Sequence, residues 1–94
     1  MSIRLDAVLT VVPGVAADEV RDWVARGWVL PRGTPPDWVF AEIDVARVRL
    51  IRDLRHDMGV EEETLPLVLS LLDQVYDLRR RLRAIAAAGH RVPG

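Results

Sequence analysis

The strongest constraint on the fold is a repeat towards the C-terminal end of the chain. Val68, Val75 and Leu82 recur every seven residues, and Leu71, Leu78 and Ile85 form the matching series three positions on, so an a/d seam runs through nearly three heptads. A stripe of this kind belongs to a helix that needs another helix against it. The spacing predicts a long helix from about Thr64 to Ala87, with Thr64 as N-cap and Pro66 in the first turn, where a missing N–H costs no hydrogen bond. A homodimer through this seam is the expected arrangement, and folding back onto the chain's own helices is the alternative. We divide the chain into residues 1–59, a body of short elements; 60–88, the dimerisation or packing helix; and 89–94, a tail without periodicity that is expected to fray.

Upstream of the seam the elements are short. Ser2-Ile3-Arg4-Leu5 alternates polar and apolar like a half-buried strand, and Asp6 is placed to cap a helix over Ala7 to Val12 that Pro13-Gly14 ends. A second helix follows Val15, with Val20, Trp23 and Val24 at i, i+3 and i+4, Asp18 and Glu19 in its first turn, and Gly27 as its stop. Trp28-Val29-Leu30 and Trp38-Val39-Phe40 read as the two strands of a small hairpin, or wing, around the turn-rich stretch Pro31 to Asp37. A third helix is expected from Glu42 to Met58, stopped by Gly59. It places Ile43, Leu50, Ile51, Leu54 and Met58 on one arc and Arg49, Arg52 and Arg55 on another. The fold class is therefore all-α with a small β-hairpin wing and a long C-terminal helix.

Composition then narrows the chemistry. With 94 residues there is room for one small domain, and the lack of cysteine removes disulfides, thiolate nucleophiles and cysteine-based metal sites together. Serine occurs only at 2 and 70 and histidine only at 56 and 90, with no triad spacing and no phosphate-cradling glycine loop. Asp53, His56 and Asp57 share one helix side and are read as a solvated face rather than as metal ligands. The expectation is a non-enzyme without cofactor, metal or small-molecule substrate. No stretch resembles a membrane span or a secretory leader, so a cytoplasmic location is expected. Trp23 is read as core; for Trp28 and Trp38, core and exposed recognition surface remain open. Glu61-Glu62-Glu63 is read as a solvated N-terminal turn.

Charge is unevenly placed. Residues 1–78 hold 8 of the 13 arginines and all 14 acids, whereas residues 79–94 hold 5 arginines and no acid. An acidic body would repel a phosphate backbone.

The element order resembles the MerR winged-helix superfamily, chiefly through Val20-Arg21-Asp22-Trp23, Gly27-Trp28-Val29, Asp44-Val45-Ala46-Arg47-Val48 and Ile51-Arg52-Asp53-Leu54. Within it, the chain is similar to the chaperone-modulator CbpM family through Gly14-Val15-Ala16-Ala17-Asp18-Glu19-Val20, Trp38-Val39-Phe40, Leu54-Arg55-His56-Asp57 and Leu69-Ser70-Leu71-Leu72-Asp73, over about residues 3 to 86. That resemblance implies a non-catalytic inhibitor that binds the J-domain of a DnaJ/CbpA-like co-chaperone. The chain has no His-Pro-Asp motif and is not itself a J-domain.

In MerR-type regulators the second helix enters the major groove, work that suits basic or neutral side chains. Here that helix carries Asp18, Glu19 and Asp22, which argue against DNA and suit a basic protein surface. The expected partner site is Asp18, Glu19, Asp22 and Trp28; the other reading of the three acids is that they only satisfy the helix N-terminus. The alternative function is a MerR-type DNA-binding regulator using Arg21 and Arg32, with the Arg49, Arg52 and Arg55 stripe available for phosphates. Two departures from the superfamily pattern stand out: Ala41 replaces a polar N-cap before the third helix, and the wing lacks an Arg-x-Tyr element.

Overall fold

The computed structural model describes residues 2–90. Its first compact unit spans Met1–Glu62 and its second Glu63–Gly94. The first contains β1 (Ser2–Arg4), α1 (Leu5–Val11), α2 (Ala17–Ala25), β2 (Val39–Ala41) and α3 (Glu42–Arg52), extended by a π-helical turn over Asp53–Asp57; the second contains α4 (Leu65–His90). The fold is thus mostly helical, with one small antiparallel sheet and a long C-terminal helix, as the sequence pattern predicts.

The sheet corrects one expectation. Trp28-Val29-Leu30 is not a strand, and the partner of β2 is β1, in the register Ser2↔Ala41, Ile3↔Phe40 and Arg4↔Val39. The wing is reduced to a loop closed by a single Arg32↔Val39 bridge. The reason lies in what Trp28 already does. Its N–H donates to the Trp23 carbonyl at 2.9 Å, closing the end of α2, and its carbonyl accepts from Arg47 Nε at 2.9 Å. Both backbone groups of Trp28 are thus committed to α2 and α3 rather than to a ladder, and the Trp28 and Val29 side chains are buried.

Helix starts are set in an unexpected way. Asp6 does not cap α1; the helix begins at Leu5, and Asp6 lies in its first turn with Oδ1 accepting from Ala7 N–H. Helices α2 and α3 both begin after an alanine, Ala16 and Ala41, which has no side-chain acceptor to offer. In each, the acid three residues on reaches back instead: Glu19 Oε1 accepts from Ala16 N–H at 3.1 Å and Asp44 Oδ2 from Ala41 N–H at 2.8 Å. This is half of a capping box, and it is why the missing polar N-cap leaves the α3 boundary at Glu42, where the pattern predicts it. Gly14 and Gly27 turn the chain after α1 and α2 with φ of 86° and 77°, in the left-handed region that an L side chain resists.

The core of this unit is Val8, Val12, Val20, Trp23, Trp28, Val29, Phe40, Val48, Ile51 and Leu54. Three members of the expected α3 arc are missing from it, Leu50 being only half-buried. Ile43 is exposed, because the buried arc runs through Asp44, Val48 and Ile51 instead, and Met58 is 71% exposed. The π-helical turn accounts for Met58: an extra residue in the turn rotates everything after it by about 100°, moving Met58 off the face that carries Ile51.

In the second unit Thr64 accepts from the N–H groups of Leu67 and Val68, and α4 then runs 26 residues, about 39 Å. It outlasts the expected end at Ala87, so Gly89 and His90 are helical rather than frayed, and residues 91–94 of the expected tail lie outside the described residues. Leu65 and Leu69 are buried and Val68 is half-buried, whereas Leu71, Val75, Leu78, Leu82 and Ile85 are all exposed. Among the described residues no helix is long and apolar enough to cross a membrane.

Candidate interaction surface on the second helix

Val20 and Trp23 anchor α2 to the core and thereby fix which residues face outward. Asp18, Arg21 and Asp22 lie on the exposed side, and Glu19 is half-buried beside them. The sequence places three carboxylates here; the structure shows that they do different work. Asp18 Oδ1 holds Arg21 Nη1 at 2.8 Å while its own side chain stays 96% exposed. Asp22 Oδ2 holds Arg26 Nε at 3.0 Å, and Arg26 reaches on to Glu62 at 2.9 Å. Glu19 is committed at both oxygens, one to Ala16 N–H and the other to His56 Nε2 at 2.8 Å. Burial raises the pKa of Glu19, but the Ala16 N–H, His56 and Arg55 together outweigh it and hold the carboxyl below the ordinary glutamate value.

Trp28 requires a correction. It is only 8% exposed, and the Arg26 guanidinium lies 5.1 Å from its ring centroid. The indole is core with a cation stacked on it, not an exposed anchor for a partner. Trp23 is core as expected, and Trp38 is half-buried, edge-on to Phe40 at 6.3 Å. Glu62 was legible only as part of an acidic run; its tie to Arg26 has no local sequence signal, because 36 positions separate them.

The arginine stripe of α3 has a structural task. Arg49 donates to the Val11 carbonyl at 3.3 Å and Arg52 to the Pro13 carbonyl at 3.2 Å, stapling the turn between α1 and α2, and Arg55 donates to the Val60 carbonyl at 2.8 Å. Arg52 is also paired with Asp53. Of the cations named for a DNA contact, Arg21 is held by Asp18, while Arg32 is exposed and has no ion pair among the described residues. Asp53 and His56 point to different partners, and no group of three or more metal-binding side chains is assembled among the described residues.

These features, a helix-turn-helix on α1 and α2, a wing loop and a long C-terminal helix, define a class of regulatory domain. The chain matches the family described as MerR HTH family regulatory protein over residues 8–86, and it belongs to that family. Comparison with curated proteins and with solved structures gives no match.

Proposed function

We propose that this chain is a non-catalytic modulator that binds the J-domain of a DnaJ/CbpA-like co-chaperone and covers the surface through which that domain engages its Hsp70 partner. The observation that carries the reading is the charge state of α2. Arg21 within it and Arg26 at its C-terminal cap are both held by carboxylates of this helix, and Asp18 remains almost wholly in solvent. A helix so arranged has little to offer a phosphate backbone and suits a basic protein surface, where complementary charge steers encounter and fixes orientation. The working form in this reading is a homodimer joined along the exposed Leu71, Val75, Leu78, Leu82 and Ile85 seam.

The test is calorimetry of the Asp18→Asn, Asp22→Asn double variant against the cognate J-domain. Glu19 is left in place because it caps the helix. Affinity is expected to fall at least about tenfold at low salt, by the loss of two charge contacts at an interface; unchanged affinity removes α2 from the site.

Membership of the family and the exposed Arg32, which has no ion pair among the described residues, favour a second reading, a MerR-type DNA-binding regulator. Titration of a random duplex over a range of salt separates the two. Tight binding with a steep salt slope, lost in Arg32→Ala, sinks the modulator reading.

A further inference from the structure

The end of α3 and the start of α2 meet at one carboxylate. Because Ala16 has no side-chain acceptor, its N–H at the start of α2 is taken up by Glu19, which accepts from it through Oε1 and faces His56 Nε2 at 2.8 Å through Oε2. His56 reaches that position from the π-helical turn Asp53–Asp57. Both side chains are about one-third exposed, open to protons yet partly screened from bulk water.

We propose that His56 is a proton-sensitive positioning residue for α2, so that its protonation tightens the turn carrying Asp18 and its deprotonation loosens it. An imidazolium adds the attraction of opposite charges to its hydrogen bond with the Glu19 carboxylate. A neutral ring either donates the weaker bond or, in its other tautomer, turns a lone pair towards the carboxylate. Imidazole is the side chain that ordinarily changes charge between about pH 5 and 8.

The surrounding charges do not displace this pair. Arg55, on the same turn, also acts on Glu19, so the carboxylate stays ionised throughout that range. Asp53 is occupied by Arg52, and Asp57 lies on the same turn without an ion pair among the described residues. On α2, Asp18 is held by Arg21, and Asp22 and Glu62 by Arg26, which pins the far end of the helix independently of pH. Only the Glu19 end of α2 is therefore proton-sensitive. The consequence for binding rests on the proposed function, because it is the exposed Asp18 next to Glu19 that would meet the partner.

The experiment is a pH titration of the isolated chain by NMR, following the Ala16 amide and the His56 ring protons together, with His56→Gln as comparison. The Ala16 amide is expected to move between pH 5 and 8 with the midpoint of the His56 ring, and this step is expected to vanish in His56→Gln. An Ala16 amide that is flat over this range, or that moves equally in His56→Gln, overturns the proposal. Because no partner is present, that outcome is separate from a failure to bind a J-domain. As a second readout, J-domain affinity of the wild type is expected to be about threefold to tenfold tighter at pH 5.5 than at pH 8, with His56→Gln showing less than half of that change. Equal pH dependence in the two proteins overturns the link to binding.

Discussion

The two units of this chain treat apolar side chains in opposite ways. In the first, aliphatic and aromatic residues from five short elements converge, and Phe40, Val48 and Ile51 are wholly buried. In the second, a single helix carries an apolar repeat that is at least as regular, yet every seam residue from Leu71 onward is exposed. Regularity of pattern and burial are therefore different properties. A heptad repeat specifies the face a helix turns towards a partner, and only contact with that partner removes it from water.

Substitutions that act on one unit and not the other sharpen this contrast. The largest effect is expected from Phe40→Ala, at about 3–5 kcal/mol of stability from lost burial and the cavity left behind. In dilute solution, below the dissociation constant of the proposed dimer, Leu82→Ala is expected to cost less than about 0.5 kcal/mol, as surface changes do. Urea denaturation over a range of protein concentrations checks both; equal costs in dilute solution break the comparison. Next comes Val75→Glu, which places a charge in the middle of the seam. Sedimentation equilibrium is expected to show its dimer dissociation constant raised by at least about tenfold, with an unchanged far-ultraviolet spectrum. A wild-type chain that is monomeric at high micromolar concentration rejects the dimer.

The smallest effect is expected from Glu19→Gln. The folded state holds the Glu19 carboxyl below the ordinary glutamate value, so the stabilisation it provides is complete above the unfolded-chain value and is lost as pH falls through the lowered one. The variant is expected to be slightly less stable than the wild type at neutral pH, with the gap closing in acid. Thermal melts from pH 2 to 7 follow this, and a gap that widens in acid contradicts the assignment.

The parts of the fold that could be read from the sequence are those encoded locally. Gly14, Gly27 and Pro66 mark helix limits by their own backbone preferences, and the heptad seam announces α4. Long-range partnerships could not be read in this way. Ser2 to Leu5 has the period of a strand, but nothing in it names Val39–Ala41 as its neighbour, and the strand-favouring run Trp28–Leu30 opens on a residue whose N–H and carbonyl are engaged by Trp23 and Arg47. At the candidate site the three acids of α2 were visible. Their division of labour was not, because it depends on His56, 37 positions from Glu19, and on Glu62, 36 positions from the Arg26 that Asp22 also holds, and these groups meet only once the chain folds. Ala-x-x-Glu and Ala-x-x-Asp at the starts of α2 and α3 were the available clue, since an acid at the third helical position can reach back to the N-cap amide whatever residue precedes it.

The arginines of α3 carry a last consequence. The turn between α1 and α2 is held by guanidinium groups on the Val11 and Pro13 carbonyls, and the chain contains no lysine at all. Guanidinium keeps its proton throughout the range in which proteins fold. These staples are therefore blind both to pH and to the acylating enzymes that erase lysine charge, and the geometry of the turn is insulated from chemical signals that regulate lysine-rich surfaces.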